Sequence, residues 1–463
     1  MAAVYFLTLA VLVVAAFIVG RTRATSVGRG NYATMHSLPT YHGLLLSAMV
    51  LTPMLLIYLV GTPLTGTIAT SNALSYLPPE FHSDTVARAT ALRDIANLAA
   101  GQYSGEPSPA LRDAAEAYRS TMTTGTWAVY LLGVVAALIA IQIGFGRISM
   151  SYRARNRFEK FVKLVLLACA AVAVLTTIGI LFSVSFETFR FFFDPHLKGR
   201  PTVTEFLFGT EWNPQAALRA DQGDIRTAFG FIPLLTGTLL ITTIAILVAG
   251  PLGLFSAVYL SEYATPRLRS IAKPILEILA GIPTVVLGFF AALTVAPLIR
   301  DAGRSFGLDV ASESALAAGL VMGMMIIPFI SSLSDDVINA VPQSLRDGAY
   351  AMGATKSETI RQVVLPAALP GIVSAFMLAI SRAIGETMIV VMAAGLAANL
   401  TFNPLDAVTT ITVQIKTILV GDQEFDSAKT LAAFALGFVL FFVTLMLNVI
   451  ALSIVRRYRE QYD

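Results

Sequence analysis

Long apolar segments alternate with short polar ones along most of this chain. Nine apolar runs are long enough to cross about 30 Å of hydrocarbon as helices. They lie near residues 3 to 20, 42 to 61, 126 to 145, 161 to 184, 233 to 260, 274 to 299, 313 to 333, 369 to 396 and 430 to 455. Hydrophobic residues make up 56% of the sequence and charged residues 13%. This balance is typical of a polytopic membrane protein rather than a large soluble enzyme, and it predicts an all-α transmembrane fold.

The basic residues orient the predicted spans. Five clusters of Lys and Arg fall on one side of the membrane if all nine runs cross it. They are Arg21, Arg23 and Arg29; Arg147, Arg153, Arg155, Arg157 and Lys160; Arg267, Arg269 and Lys273; Arg346, Lys356 and Arg361; and Arg456, Arg457 and Arg459. Basic loops face the cytoplasm, so we predict an external N-terminus and a cytoplasmic C-terminus. No basic residue precedes the first run, which therefore does not fit a cleavable signal; a weak or partly disordered anchor stays open.

Two polar segments are predicted on the outer side. The first, about residues 62 to 125, has the spacing of two short helices, at 83 to 100 and 110 to 118, separated by helix-breaking residues. They form either a docking surface for a solute-binding protein or a surface cap. The second, Phe186 to Phe231, begins with a run of aromatic residues that is typical of an interfacial belt. Between them, Tyr152 to Lys163 is a basic linker and a predicted domain boundary.

Residues 342 to 358 read as a compact polar turn between two apolar runs. Pro342 suits the first turn of a helix, and Gly353 suits the left-handed residue that ends one. Thr355 and Glu358 form the pattern of a capping box, which starts a second short helix. We expect an elbow outside the bilayer with Leu345, Ala349 and Met352 on one face.

The same turn resembles the EAA loop of ABC importer permeases. The matching positions are Asp347-Gly348-Ala349, then Gly353, then Val363-Val364-Leu365-Pro366. The spacing fits in full, while Asp for Glu, Gly for Ala and Val for Ile are departures. Gly348 weakens the helix by about 1 kcal/mol relative to Ala. The resemblance implies a six-span type I permease core whose loop, with Asp347, Gly348, Ala349, Met352, Gly353, Leu365 and Pro366, docks on an ATPase subunit.

Three further stretches narrow this resemblance. Residues 382 to 388 read Arg-Ala-Ile-Gly-Glu-Thr-Met, residues 281 to 288 read Gly-Ile-Pro-Thr-Val-Val-Leu-Gly, and residues 251 to 253 read Pro-Leu-Gly. Together they resemble phosphate importer permeases of the PstC type over about residues 155 to 460. The predicted domains are an N-terminal extension of about three spans at 1–150, outside the resemblance, and a six-span core at 151–463 with its coupling loop at 334–365.

Arg382 and Glu386 are the charged residues in the middle of an apolar run. Each costs about 2.5 to 3.5 kcal/mol at the centre of a membrane span, so both must face protein or water. A spacing of four residues places them on one helix face. One interpretation is an ion pair that locks helix packing. The other is an oxyanion site, in which the planar guanidinium binds phosphate oxygens in pairs and Glu386 orients it or accepts a hydrogen bond from a protonated phosphate oxygen.

The resemblance implies that the matching Arg and Glu are transport residues. Thr387 beside Glu386 belongs to the same predicted path. Thr284, after Gly281 and Pro283, marks a broken or closely packed helix and is a candidate to line the path.

Other polar residues have structural interpretations. Asp335 and Asp336 are expected to be solvated loop carboxylates, and Lys273 is expected to pair with Glu277. Thr409, Thr410, Thr412 and Gln414 are expected in an outer loop, as part of a gate or as surface.

Several functional classes lack support in the residues. The sequence has no Gly-x-x-x-x-Gly-Lys-Ser/Thr phosphate-binding motif, so we expect no cofactor on this chain and ATP on a partner subunit. One cysteine, four histidines without ligand spacing and a net charge of +3 indicate neither a metal site nor nucleic-acid binding.

The resulting prediction is an inner-membrane permease that is not itself an enzyme. It forms half of a phosphate translocation path with a PstA-type permease, an ATPase dimer, an external phosphate-binding protein and membrane lipid. Alternatives are a permease for molybdate, tungstate or sulfate, a homodimer of this chain, and a non-transporting phosphate sensor. A membrane-embedded enzyme has the least support, because one buried acid supplies little catalytic apparatus.

Overall fold

The computed structural model describes residues 2–29, 35–78, 85–103, 105–197, 199–214, 228–420 and 427–458. Within these residues, nine helices have the length and composition of membrane spans, which confirms the predicted number and the all-α class. Their bounds are Ala2–Val27, Pro39–Leu74, Pro109–Gly146, Ala154–Phe193, Ile232–Tyr263, Thr284–Ser305, Ala315–Ala340, Lys356–Ile384 and Ala428–Ile454. Residues 83 and 84 of the first predicted outer helix, and Arg459, lie outside the described residues.

Contacts divide the chain into two units, residues 1–175 and 176–463, and the division falls inside the fifth helix. The first unit contains α1 (Ala2–Val27), α2 (Pro39–Leu74), α3 (Thr85–Ala99), α4 (Pro109–Gly146) and the start of α5 (Ala154–Phe193). Its core joins α1, α2 and α4 through Leu9, Val50 and Val129. The Tyr5 hydroxyl donates to the Met54 carbonyl at 2.7 Å. The domain boundary between residues 150 and 151 stays a prediction.

The second predicted outer helix is not a separate element. Residues 110 to 118 are the beginning of α4, which continues without a break to Gly146. The Ser108 hydroxyl accepts the amide of Leu111, and Pro109 occupies the first turn, where its missing N–H costs nothing. No further proline interrupts this helix, so the polar segment 110 to 118 and the apolar span form one helix of 38 residues.

The second unit contains the remaining helices. They are α6 (Val203–Phe208), α7 (Ile232–Val258, continued by a π turn at Tyr259–Tyr263), α8 (Pro266–Ala280), α9 (Thr284–Phe290, continued by a π turn at Ala291–Val295), α10 (Ala296–Ser305), α11 (Ala315–Ala340), α12 (Gln343–Ala351), α13 (Lys356–Thr359, continued by a π turn at Ile360–Val364), α14 (Leu365–Ile384), α15 (Met388–Ala393), α16 (Ile411–Val420) and α17 (Ala428–Tyr458). The predicted run 274 to 299 is divided: α8 ends at Ala280 with Gly281 as its cap, and Pro283 precedes α9.

Helices α7 and α11 form the centre of this unit. In the most apolar stretch of each described span, 61% of the residues of α11 and 50% of those of α7 are buried, more than in any other span. Glycines allow the close approach: a Cβ on Gly323 would lie 3.0 Å from the Ala245 carbonyl oxygen, and one on Gly253 would lie 2.8 Å from Cβ of Ile330. Small residues bring membrane helices into contact in this way.

The aromatic run at the end of α5 is not simply an interfacial belt. Phe191 is fully buried and packs edge-to-face on Phe206 and Phe229, at ring-centroid distances of 5.7 and 5.6 Å. Phe189 and Phe193 are 62% and 54% exposed, as a belt requires. The helical spacing therefore sends one ring into the core and leaves the other two on the surface, because residues two apart face different directions on a helix.

We predict that Gly237→Ala destabilises the protein. A Cβ at this position on α7 would overlap the backbone carbonyl of Thr409, and a backbone group cannot rotate away. Overpacking of this kind costs about 1–3 kcal/mol and should lower the thermal unfolding midpoint in detergent. Gly437→Ala in α17 is the control, because a Cβ there meets nothing within 4 Å. Equal midpoints for the two variants would contradict the packing described here.

Candidate functional site

The apolar run that carries the predicted ionic pair is not one helix. Helix α14 ends at Ile384, Gly385 caps it with φ −83° and ψ −5°, and α15 starts at Met388. Arg382 lies in the last turn of α14, whereas Glu386 lies beyond its end. The prediction that the two side chains share one helix face is therefore wrong.

Arg382 has no acidic partner among the described residues. Its guanidinium carbon lies 4.2 Å from the centre of the Phe329 ring on α11, a cation–π contact. The residue is exposed on the surface of the single chain. Because Arg382 forms no ion pair with Glu386, the interpretation that the pair locks helix packing does not hold. A cation in the last turn also suits the negative end of the helix dipole.

Glu386 caps the next helix. Its Oε1 atom accepts the amide of Met388 at 3.0 Å and, more weakly, that of Ile389 at 3.4 Å. These amides are among the donors that the start of a helix leaves without partners. A carboxylate is also the favoured charge at this end. The side chain is half-buried, so this carboxylate satisfies the backbone that the helix break would leave unpaired.

Buried polar residues of α16 satisfy the carbonyls around the break. The Thr412 hydroxyl donates to the Glu386 carbonyl at 2.9 Å, and Gln414 donates to the Leu396 carbonyl at 3.2 Å. Gln414 also accepts the indole N–H of Trp212 at 3.0 Å. The side chains of Thr409, Thr410, Thr412 and Gln414 are all at most 9% exposed. Thr412 and Gln414 thus belong to α16 rather than to a loop, whereas Thr409 and Thr410 lie in the non-helical segment before it. The burial of all four contradicts the surface interpretation, and a role in a gate stays a prediction.

Helix α9, which carries Thr284, packs on α15. A Cβ on Gly288 would lie 3.1 Å from the Met388 carbonyl oxygen and 3.4 Å from Cα of Ile389. Thr284 begins α9, and Thr387 precedes α15; both are half-buried. Thr284 makes no hydrogen bond with Arg382, Glu386 or Thr387. The structure therefore brings the two helix breaks into one region without joining these side chains, and their place in a path stays a prediction.

The coupling loop has the predicted local geometry. Gly353 ends α12 with φ +87°. Thr355 accepts the Glu358 amide at 3.4 Å, and the Glu358 carboxylate accepts the Thr355 amide at 2.8 Å, which is a complete capping box. Helix α14 then starts with Leu365 and Pro366. Leu365 packs inward, and Pro366 is exposed.

The outward face of α12 differs from the prediction. Met352 is 89% exposed, and Asp347 and Gly348 are exposed beside it. Leu345 instead packs against the apolar cluster under the loop, and Ala349 is half-buried. Burial therefore differs among Leu345, Ala349 and Met352, because Leu345 packs on the protein and Met352 lies beyond the end of α12 at Ala351.

Asp335 is a buried anchor rather than a solvated carboxylate. It is 2% exposed, and its Oδ2 atom accepts hydrogen bonds from Nη2 of Arg269 at 2.9 Å and from Nζ of Lys273 at 3.0 Å. These ion pairs connect α8 to α11. Lys273 also pairs with Asp336, at 2.9 Å, rather than with Glu277. Hydrogen bonds to Asp336 and Asp335 raise the pKa of Lys273 above its usual value. This stabilisation is present at neutral pH and is lost only as the pH rises through the raised pKa.

The part of the chain that the structure describes contains no group of three or more His, Cys, Asp or Glu that could hold a metal ion. The site consists instead of a cation, two helix breaks and the hydrogen bonds that satisfy them.

Two family models match this chain. One, described as a phosphate ATP-binding cassette transporter, covers residues 6–176. The other, described as a binding-protein-dependent transport system inner membrane component, covers residues 249–460. Taken together, they place both units of the chain in transport families.

Curated relatives agree with these models. The probable ABC transporter permease YqgH of Bacillus subtilis is 31% identical over 294 residues, which is 64% of this chain and 90% of that protein. The phosphate transport system permease PstC 1 of Mycobacterium tuberculosis is 33% identical over 278 residues, 54% of this chain and 81% of that protein. The PstC protein of Pasteurella multocida is 30% identical over 67% of this chain and 92% of its own length. This chain belongs to the PstC family of phosphate transport permeases.

Membership settles several earlier predictions. The chain is a multi-span permease subunit of an ABC importer in the inner membrane, and it is a transport component rather than an enzyme. The resemblance predicted from residues 342 to 388 is confirmed. A separate model, described as a phosphate ATP-binding cassette transporter, covers residues 6–176. The three relatives match 54 to 67% of this chain, so the interpretation that residues 1 to about 150 lie outside the PstC-type resemblance stays a prediction.

Among solved structures, a bacterial alginate ABC transporter aligns with 66% of this chain and 98% of its own chain, at a TM-score of 0.46 and 16% identity. A likeness at this level bears on neither residues nor substrate.

We predict that Phe329→Leu raises the anion concentration at which transport is half-saturated. Loss of the ring removes the contact that orients the Arg382 guanidinium, worth about 0.5–2 kcal/mol, or about 2- to 30-fold in half-saturating anion concentration. The measurement is ATP-driven uptake by the reconstituted transporter over a range of anion concentrations. Phe255→Leu is the control, because this α7 ring is 70% exposed. An unchanged half-saturating concentration in Phe329→Leu would contradict the orienting role.

Proposed function

We propose that this chain forms half of the translocation path of an ATP-driven importer of inorganic phosphate. The observation that carries the proposal is Arg382, a guanidinium without an acidic partner among the described residues, at a helix end inside an apolar run. Such a charge is costly in a membrane span unless it faces water, protein or a ligand. The names of the curated relatives, phosphate transport system permeases, support the same anion.

Arg382 would bind phosphate through its planar fork. The guanidinium presents donors that match two oxygens of one anion, and a cation–π contact leaves its outer edge free to do so. Glu386 already uses Oε1 for two amides. Its remaining acceptor capacity would suit a protonated phosphate oxygen, which sulfate lacks at neutral pH. Thr387 and Thr284 would line the same path, each half-buried at the start of a helix.

The coupling loop would meet the ATPase. Asp347, Gly348, Met352 and Gly353 are all exposed on α12 or just after it, and an exposed methionine is a typical adaptable contact. ATP would bind and be hydrolysed on an ATPase dimer, with no cofactor on this chain. The positive-inside pattern supports a cytoplasmic loop and C-terminus and an external N-terminus.

The path would be completed by a second permease of the PstA type. One cation on one chain makes half of an anion path, and an external phosphate-binding protein would deliver the substrate. The exposed apolar faces of the spans would contact membrane lipid.

The test of this function is uptake of radiolabelled phosphate by vesicles that hold this chain and its partners. We expect Arg382→Gln to assemble and to keep ATP hydrolysis while losing most uptake, because glutamine offers no charge and no fork. Arg304→Gln, at an exposed position on α10, is the matched control and should transport normally. Uptake near the wild-type rate in Arg382→Gln would overturn the role of Arg382. If the wild-type transporter takes up molybdate, tungstate or sulfate but not phosphate, the assignment of phosphate as the transported anion is overturned.

We predict that Glu386→Gln changes selectivity more than stability. The amide oxygen of the substituted side chain still accepts from the start of α15, while the negative charge that favours a protonated phosphate oxygen is lost. Competition by sulfate in the phosphate uptake assay should therefore strengthen. Thermal unfolding in detergent is the stability control and should shift little. Unaltered sulfate competition, with reduced stability, would show that Glu386 is only a helix cap.

A further inference from the structure

Arg346 lies on the coupling helix α12, yet its side chain points into the protein. The residue is 8% exposed. Its Nη2 atom donates to Glu262 Oε1 at 2.9 Å and to the Ile338 carbonyl at 2.8 Å, and its Nη1 atom donates to the Val341 carbonyl at 2.6 Å. The basic-cluster pattern in the sequence had placed this arginine among loop charges, so its burial is unexpected.

These bonds join α12 to the end of α11 and to the π turn that continues α7. Ile338 belongs to the last turn of α11, and its carbonyl also accepts a weak hydrogen bond from the amide of the cap residue Val341, at 3.4 Å. Glu262 belongs to the π turn that continues α7, and its side chain is 9% exposed. One guanidinium therefore fastens α12 to the ends of the two most buried spans, α7 and α11.

The two sides of α12 have different surroundings. On the outward side, Met352 is 89% exposed, and a Cβ on Gly348 would meet nothing within 4 Å. On the inward side, Arg346 supplies the hydrogen bonds to α7 and α11, while Leu345 adds apolar contact. A force applied to the outward side reaches the spans through this inward attachment.

Helix α11 leads from this attachment to the candidate anion site. Phe329, under the Arg382 guanidinium, lies nine residues before Ile338, or about 13.5 Å along the helix at 1.5 Å per residue. A packed helix transmits displacement over such a distance because interiors have low compressibility.

We propose that Arg346 is a positioning residue that couples movement of α12 to α11 and α7, and hence to the surroundings of Arg382. The proposal rests on the function proposed above, in that an ATPase moves α12. It extends that function by naming the attachment on this chain. Arg346 contacts neither ATP nor the anion.

The test follows an ATP-driven change near Arg382 without measuring any anion. Cys169 is the single cysteine of the sequence, so Cys169→Ser gives a cysteine-free parent. Ser381→Cys then places one thiol beside Arg382. The rate at which a water-soluble maleimide labels this thiol is measured in the assembled complex, with and without ATP, alongside ATP hydrolysis.

Four changes are compared in this parent. Arg346→Gln removes the attachment. The double variant Arg346→Gln with Glu262→Gln also removes the attachment but leaves no unpaired buried charge. It therefore tests the role of the attachment even if the single variant fails to assemble. Arg346→Lys keeps the charge with fewer donors. Arg304→Gln is the control, since Arg304 is exposed on α10 and lies outside the coupling loop.

We expect ATP to change the labelling rate in the parent and in Arg304→Gln. In the double variant the ATP-dependent change should fall about tenfold, within the range of typical coupling free energies, while hydrolysis stays near the parent rate. Arg346→Lys should be intermediate. An undiminished change in the double variant, loss of the change in proportion to loss of hydrolysis, or no ATP-dependent change in the parent would each overturn the proposal. Because no anion is measured, failure of the phosphate assignment in the uptake assay is a separate result.

Discussion

The candidate site depends on how the backbone is satisfied where α14 stops inside an apolar run. Within a membrane, each unpaired N–H or C=O group costs several kcal/mol, so a span can break only where other groups replace the helical hydrogen bonds. Glu386 replaces two of them at the start of α15, and Thr412 replaces one at the Glu386 carbonyl. These bonds allow the chain to end one helix at Gly385, and the same end leaves Arg382 without an acidic partner among the described residues.

A tightly packed pair of spans supports this break. Glycines bring α7 and α11 into contact, and α11 then carries three different attachments on one helix. Phe329 lies under Arg382, Asp335 holds two cations of α8, and the Ile338 carbonyl accepts Arg346. The anchors near its end fix α11 to α8 through Asp335 and to the coupling loop through the Ile338 carbonyl. The ring in its middle contacts the guanidinium of Arg382. The helix thus joins the predicted ATPase contact to the predicted anion contact within one chain.

Local signals in the sequence predicted local structure well. The nine spans follow from apolar length, and the turn at Gly353 with the capping box of Thr355 and Glu358 follows from residues a few positions apart. The break at Gly385 could not be predicted in the same way, because the apolar pattern resumes on both sides of it.

Long-range pairing was missed for a different reason. Asp335 is buried because Arg269 and Lys273, more than 60 residues earlier, meet it. Arg346 is buried because Glu262, 84 residues away, accepts it. No periodicity reports such partners, so Asp335 was predicted to be solvated and Arg346 was counted only among the basic residues that orient the spans. The family of the first 150 residues likewise depended on comparison, since they carry no short motif that identifies it.

A cryo-EM structure of the assembled transporter with phosphate present would test the central claim, that Arg382 faces the translocation path. The account predicts tetrahedral density within hydrogen-bond distance of the Arg382 guanidinium, between this chain and the second permease, with Glu386 still bonded to the amides of Met388 and Ile389. An Arg382 side chain that faces lipid or forms a closed ion pair with the partner, with the anion bound elsewhere, would contradict it.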